Sequence, residues 1–381
     1  MTNDKPTRPL ASPIYPATVY CCDSPAQASR LLAGEVEGFI YSRDGHPNAQ
    51  QLADQCAELH GARFATITGS GMAALSLALL SQLQSGDHVV VSHQLYGRSL
   101  ALFTSEAERL GITATQVDSG DLSSVRAAVH EATRLVVVET IANPMLNVAD
   151  IVGLSEIVHS QQARLLVDNT FASPAICRPL SLGADLVVES ITKVMNGHSD
   201  VMLGLLCASS EDAWDRVPGT QTTWGYFASP MDCWLASRGM ATLGLRVERA
   251  AANAEEVARW LVGQSQVERV CYPGLVDSSD HPLAARQLSG LFGNMVTIQL
   301  QGGLAAAERF ISAVAQAIPF CPSLGELSTT LSHPQSTSHR EFEQQQLQQL
   351  GITGGTIRLS IGIEPPAEIT AALQAGLTAL D

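Results

Sequence analysis

The residues of this chain best placed to do chemistry lie in one window, VVESITKVMNGHSD, from Val187 to Asp200. The apolar run Leu186–Val188 reads as the end of a buried strand. Ser190, Thr192 and Lys193 follow it directly, and Asn196-Gly197 then marks a turn. A lysine just past a buried strand, set among hydroxyls, has two chemical uses. With the hydroxyls it can clamp an anion such as a phosphate. It can also act as a nucleophile, because desolvation favours the neutral amine. One arrangement satisfies both: a Schiff base between Lys193 and an aldehyde cofactor whose phosphate rests on Ser190 and Thr192. A lysine snorkelling from a strand end accounts for the window alone equally well, so the elements around it have to decide.

Between residues 60 and 210 apolar strands alternate with helical patterns. Strands are expected at Arg63–Thr68, His88–Ser92, Thr113–Val117, Leu135–Thr140, Leu165–Asp168 and Leu186–Val188, with another at Met202–Cys207. Helices are expected at Ser70–Gln82, Leu95–Leu110, Leu122–Ala132 and Ile151–Gln161. This alternation predicts an α/β fold with a mostly parallel central sheet flanked by helices. Ligands on such sheets bind beyond the carboxyl ends of the strands. At those ends the chain puts Gly69-Ser70-Gly71-Met72, then Glu139, Thr140 and Asn143, then Asp168-Asn169-Thr170, then Ser190, Thr192 and Lys193. That convergence tells against a merely snorkelling lysine. Gly69-Ser70-Gly71 before a helix can seat an anion on free amides, though a plain cap at Ser70 uses the same residues. Asp168 ends a strand of Leu-Leu-Val, and a half-buried carboxylate wants a cationic partner. A protonated pyridine nitrogen would serve, as would a simple capping role.

Three segments complete the organisation. Residues 1–50 are rich in Pro, Gly and short polar residues and read as an extended arm. Within it, Asp44-Gly45 and His46-Pro47 mark a turn, and spacing alone makes Tyr41 and Arg43 ordinary loop residues. Residues 51–245 form the ligand-binding domain, ending in a connector over 211–245. Arg246–Val262 reads as a long amphipathic helix that opens a smaller α+β domain, 246–381. There, strands are expected at Val267–Cys271, Met295–Leu300 and Ile357–Ile361, and helices at Leu304–Ala317 and Ala367–Leu380.

Hydrophobic residues make up 45% of the chain and charged ones 15%, which implies a large core and surface hidden in an oligomer. The net charge of −15 argues against nucleic acid or an anionic membrane as partner. No apolar leader-like segment opens the sequence, and runs such as Ala73–Leu80 are too short to span a bilayer. A soluble cytoplasmic protein is expected. The eight cysteines contain no CxxC and the ten histidines no HxxxH or HExxH, so no metal is predicted and the cysteines should be buried thiols.

With these residues in place, the chain resembles the Cys/Met-metabolism family of pyridoxal-phosphate enzymes, which includes cystathionine γ-synthase and γ-lyase, methionine γ-lyase and the O-acylhomoserine sulfhydrylases. The likeness rests on S-x-T-K-x-x-N-G-H-S-D around Lys193 and D-N-T-F at Asp168–Phe171. It extends to Y-S-R at Tyr41–Arg43, S-G-M-A-A at Ser70–Ala74, Y-G at Tyr96-Gly97 and E-T-x-x-N-P at Glu139–Pro144. Further matches are S-L-G at Ser323–Gly325, S-H-P at Ser332–Pro334 and R-L-S-x-G at Arg358–Gly362. The resemblance implies fold type I and pyridoxal 5'-phosphate held covalently by Lys193, which then shuttles protons. Asp168 would pair with the pyridine nitrogen, and Tyr96 would stack on the ring and aid proton transfer. Gly71, Met72, Ser190 and Thr192 would hold the phosphate, completed by Tyr41 and Arg43 of a neighbouring subunit. Ser323 and Arg358, with Tyr41, would bind the amino-acid substrate, and Asn143 would contact its carboxylate or the cofactor's phenolic oxygen. A homotetramer built as a dimer of dimers, with shared sites, is implied.

The implied reaction is γ-elimination or γ-replacement on a sulfur amino acid or a homoserine ester. Methionine γ-lyase or O-acylhomoserine sulfhydrylase activity is the alternative, and a non-catalytic cofactor-binding regulator is the reading from another class. Four positions depart from the pattern. Pro322 stands where the cystathionine γ-enzymes have an acidic residue, and Arg98 where others have Gly or Cys. H-P-N at His46–Asn48 replaces N-P-T, and Glu189 replaces a neutral residue or His. These point to an altered distal substrate pocket, in which Arg98 either meets an anionic leaving group or turns outward on its helix.

Overall fold

Strands that are apolar on both faces are stable only between two layers of helices, and the chain folds that way. In the computed structural model, which describes residues 9–381, seven strands build one sheet. They are β1 (Phe64–Thr68), β2 (His88–Ser92), β3 (Thr113–Val117), β4 (Thr133–Glu139), β5 (Arg164–Asp168), β6 (Leu186–Ser190) and β7 (Gly204–Ala208). Their order is β1-β7-β6-β5-β4-β2-β3. β7 runs antiparallel to β1 and β6, and the other neighbours are parallel. The carboxyl ends of all strands but β7 therefore share one edge.

Side chains alternate across each strand, and β6 shows the consequence. Val187 packs into the core beneath the helices Pro47–His60 and Ile151–Ser160, while Leu186 and Val188 pack into the core beneath Gly71–Gln82. A second sheet comprises β8 (Val267–Cys271), β9 (Met295–Leu300), β10 (Thr330–Ser332) and β11 (Thr356–Ser360), in the all-antiparallel order β10-β11-β9-β8. The helices Leu243–Val262, Gly303–Val314 and Pro366–Thr378 cover it with an apolar core of their own. Among the described residues no helix is long and apolar enough to cross a membrane.

Two expectations need correction. The stretch 211–245 is not a mere connector but carries the helices Glu211–Trp214, Val217–Trp224 and Pro230–Met240. Its Pro and Ser residues are start signals: Ser210 and Ser229 cap helices, and Pro218 and Pro230 sit in first turns. The helix expected at Leu95–Leu110 starts at Gly97 and passes through a π-turn, Leu102–Glu106, before Ala107–Arg109.

The first eight residues of the expected arm lie outside the described residues. The part that is described contains a helix, Pro25–Leu32, capped by Ser24. It is tied to the body where Asn48 Nδ2 donates to Pro13 O at 2.9 Å and Trp234 Nε1 to Ser12 O at 2.8 Å. His46 is itself the cap of the helix Pro47–His60. Its Nδ1 accepts from Ala49 N at 3.2 Å, so Nε2 carries the hydrogen donated to Ala228 O at 2.9 Å. The His46 departure thus keeps a cap by other means.

Candidate active site

A cavity of about 600 Å³ opens where the carboxyl edge of the large sheet meets β11 and the loops 322–324 and 336–342. Gly71, Met72, Tyr96, Asn143, Asp168, Ser190, Thr192, Lys193, Ser323 and Arg358 all line it. Tyr41 and Arg43 do not. They lie exposed on the arm, with the Arg43 guanidinium 5.4 Å from the centre of its own Tyr41 ring.

Lys193 stands five residues beyond Val188, the β6 partner of Asp168 in the sheet. Its Nζ donates to Ser323 Oγ at 2.8 Å. Burial, and then the charge on Arg358, lower the pKa of this amine, which raises the share of neutral, nucleophilic form. Its backbone is held from beneath. The buried Arg246 donates to Val194 O and Met195 O, each at 2.8 Å, and to Gly239 O at 3.1 Å. Gly197 closes the turn with φ +77°, where a Cβ would strike the Arg246 guanidinium. Replacing Arg246 by methionine strands the Val194 and Met195 carbonyls, while Gly239 O keeps Thr242 N and Oγ1, and hydrogen bonds to a charged group contribute about 1.5–3 kcal/mol each. Arg246→Met is therefore expected to lower stability in urea titration by at least about 3 kcal/mol, and an unchanged midpoint would show the clamp to be idle.

In the same cavity Asp168 Oδ1 accepts from Thr170 N at 3.0 Å and Thr170 Oγ1 at 2.5 Å. Burial raises its pKa to about 6. Beside it lies Glu139, which ends β4 and accepts through Oε1 from Tyr96 N at 2.7 Å and through Oε2 from Asn143 N at 3.1 Å. Burial, with the Asp168 carboxylate next in effect, lifts Glu139 to about 8. Asn143 Oδ1 in turn accepts from Arg358 Nη1 at 2.7 Å, and Arg358 Nη2 donates to Ser323 O at 3.0 Å. Arg358 Nε is buried without a partner among the described residues. Burial lowers this guanidinium to about 10, which leaves it cationic at neutral pH.

Glu139 thus links Tyr96, Asn143 and, through Asn143, Arg358. Its position at a strand end was legible in the sequence; its double contact was not. In Glu139→Gln one carboxylate oxygen becomes an NH2 that cannot accept, so either the part-buried Tyr96 amide or the buried Asn143 amide loses its acceptor. The expected cost is about 1–3 kcal/mol, read as a lowered thermal midpoint, whereas an unshifted midpoint would deny the linkage.

The helix Gly71–Gln82 starts at the cavity. Ser70 Oγ accepts from Ala73 N at 3.1 Å, and Ala74 N is the first amide bonded back to the cap, so the amides of Gly71 and Met72 precede the helical ladder. Glycine is required at 71 by close approach: a Cβ there would lie 2.8 Å from Ser190 Cβ. The Thr192 hydroxyl is engaged with Leu203, donating to its carbonyl at 3.2 Å and accepting from its amide at 3.0 Å.

Of the four departures, Arg98 and Pro322 line the cavity and Glu189 does not. Glu189 alternates with Ser190 along β6 and is fully buried, accepting from Asn169 Nδ2 at 2.7 Å and lying 3.3 Å from His60 Nε2. It therefore bears on packing beneath the sheet and not on the substrate pocket. Arg98 meets neither expectation in full, because it reaches the cavity wall yet is paired with Glu341, Nη2 to Oε1, at 2.8 Å. The loop residues Arg340, Glu341 and Phe342 were not foreseen as cavity lining, since nothing in their spacing sets them apart.

The family described as Cys/Met metabolism PLP-dependent enzymes matches residues 1–378. An L-methionine gamma-lyase of Fusobacterium nucleatum subsp. polymorphum is 39% identical over 370 residues, covering 97% of this chain and 93% of that enzyme. An O-succinylhomoserine sulfhydrylase of Pseudomonas aeruginosa is 37% identical over 367 residues, covering 96% and 90%. The solved structure of a cystathionine gamma synthase from Xanthomonas oryzae pv. oryzae in complex with cystathionine superposes with a TM-score of 0.92 at 34% identity, covering 97% of this chain and 93% of that one.

Proposed function

The chain belongs to the Cys/Met-metabolism family of pyridoxal-phosphate-dependent enzymes, and from that premise we propose that it makes or breaks a bond at the γ-carbon of a homoserine- or cysteine-derived amino acid. It is a trans-sulfuration enzyme of the carbon–sulfur lyase or cystathionine synthase type. The observation that carries the reading is the meeting of Lys193, Asp168 and Arg358 in one cavity.

The residues present fit the cofactor. An amine and a carboxylate share the cavity, helix amides and Ser190 offer an anion seat, and the glycine at 71 leaves a cradle that a Cβ would fill. When bound, the cofactor supplies an electron sink for carbanions at Cα and Cβ. Lys193 would hold it covalently and carry protons at the substrate's Cα; its depressed pKa suits a group that must accept and return them. Asp168 would hold the charge on the ring nitrogen. Tyr96, seated by Glu139, would stack on the ring and aid proton transfer. The amides of Gly71 and Met72 with Ser190 would take the phosphate, and Thr192 would join once its hydroxyl turns from Leu203. Arg358, positioned by Asn143 and by Ser323, would bind the α-carboxylate as a planar fork, its unpartnered Nε offering a further donor.

Tyr41 and Arg43 would complete the phosphate seat from a neighbouring subunit, with Tyr41 also against the substrate; both are exposed on the arm and available for that contact. Such sharing needs at least a dimer; the active unit proposed is a homotetramer, a dimer of dimers, in which 1–50 is the arm, 51–245 the cofactor domain and 246–381 the C-terminal domain. The cytoplasm is the place proposed for it, in keeping with eight scattered cysteines that contain no CxxC.

Methionine γ-lyase or O-acylhomoserine sulfhydrylase activity is the second reading, favoured by the 39% and 37% identity to such enzymes. The deciding experiment supplies purified enzyme with O-succinylhomoserine, cystathionine and methionine, with and without an added thiol. Release of keto acid and ammonia, or formation of a new thioether, is expected; turnover of none of them would overturn the proposal.

A further inference from the structure

Among the described residues four cations line the cavity, and two are committed by hydrogen bonds to Asn143 and Ser323: Lys193 to Ser323, and Arg358 to both. The other two, Arg98 and Arg340, have no such tie. Both approach a single carboxylate, Glu341, with Arg98 Nη2 at 2.8 Å and Arg340 Nη2 at 3.6 Å from the same Oε1. The remaining lining carboxylates are engaged elsewhere, Glu139 with two backbone amides and Asp168 with Thr170. This part of the wall therefore carries more positive than negative charge, in a chain whose net charge is −15. A local reversal of sign in a concave site concentrates anions there.

The two cations come from different parts of the fold. Arg98 follows Tyr96 at the start of the helix Gly97–Ala101, and Arg340 and Glu341 lie on the loop that leads from β10 toward β11. The loop is pressed against Gly97, where a Cβ would come within 3.0 Å of Ser338 O and 3.1 Å of the Phe342 ring. The pair across it is held loosely. Arg98 and Glu341 are 55% and 57% exposed, and exposed ion pairs contribute little. A ligand carboxylate or phosphate offers the same oxygens and can take both forks. Pro322, also on the wall, supplies no charge to hold a distal ammonium.

Resting on the reading that Arg358 takes the α-carboxylate, we propose that Arg98 and Arg340 form a distal-anion subsite, which receives the carboxylate or phosphate at the far end of the substrate's γ-substituent and which Glu341 occupies at rest. The substrate class is a homoserine ester with an anionic γ-substituent, in preference to neutral thioethers and neutral esters.

The test compares kcat/KM of the holoenzyme for O-succinylhomoserine and O-phosphohomoserine with that for O-acetylhomoserine. It uses wild type, Arg98→Met, Arg340→Met and Glu341→Gln, and methionine preserves the apolar stem. In both arginine variants the ratio of anionic to acetyl ester should fall at least about tenfold, as loss of a hydrogen bond to a charged group implies, and in Glu341→Gln it should rise. The succinyl and phospho arms tell carboxylate from phosphate, and a tenfold fall in either sustains the subsite. An equal fall for all three esters would make the pair a structural latch, and an unchanged ratio would place the cations outside the substrate's reach; either overturns the proposal. Calorimetric binding of O-succinylhomoserine against homoserine reads the subsite without turnover. A preference lost in Arg98→Met sustains it even if no ester is processed, which would instead sink the proposed reaction. Equal affinity of wild type for both ligands overturns the subsite whatever the turnover.

Discussion

Lys193→Ala is expected to yield a folded protein whose kcat is reduced by at least about three orders of magnitude, because covalent attachment and proton transfer are lost with one side chain. The side chain lines a cavity and, among the described residues, ties only to Ser323 Oγ, so its removal leaves no buried carbonyl or amide there unpaired. The thermal midpoint should therefore stay near that of wild type while turnover disappears and the cofactor exchanges on dialysis. A small amine added to the medium should restore part of the proton transfer. A variant that retained a tenth of wild-type turnover would remove Lys193 from the reaction.

The second large effect is expected at Asp168. Asp168→Asn keeps the shape, and its Oδ1 can still accept from Thr170, but it removes the charge. Loss of one preorganised electrostatic contact costs about 10²–10³ in kcat, and the variant should show a loss of that order. It should also change a pH dependence. Burial raises the Asp168 carboxyl to about 6 in the open site. A cationic ring nitrogen needs the ionised carboxylate, so proton and cofactor compete for it. Cofactor affinity of wild type should be full above this pKa and fall about tenfold per pH unit below it. The asparagine variant has nothing to titrate there, and the difference between the two profiles cancels the ionisation of the phosphate itself. Parallel profiles, or an asparagine variant as fast as wild type, would separate Asp168 from the ring nitrogen.

Glu139 is the group through which substitutions elsewhere in the cavity should couple. It sits within range of the Asp168 charge and holds Tyr96 and Asn143 by their amides. Residues in one hydrogen-bond network do not add independently. Loosening Tyr96 and loosening Arg358 are thus two readings of one displacement.

The parallel strands β2, β4, β5 and β6 were legible because each holds a short apolar run, and burial on both faces leaves that mark in consecutive residues. The residues at the strand ends were legible for the same reason: once the strands are placed, Asp168, Ser190 and Lys193 must lie at one edge. The segment 211–245 was not, since Pro and Ser begin helices as readily as they break them, and only packing tells which. The arm could be recognised by composition, but that gave no hint of Asn48 and Trp234 tying it to the body.

The sequence by itself determined which residues have the chemistry: one amine among hydroxyls, one carboxylate at a strand end, one guanidinium on a late strand. These are properties of side-chain type and near neighbours, and folding does not alter them. The tertiary structure alone decided their company. Arg358 meets Asn143 across 215 positions and Arg98 meets Glu341 across 243. Contacts of that separation depend on how two sheets and a loop close around one cavity, and no local period or composition encodes that distance. Burial, and with it the altered proton affinities of Lys193, Asp168 and Glu139, comes from the same closure, because desolvation belongs to the site and not to the residue.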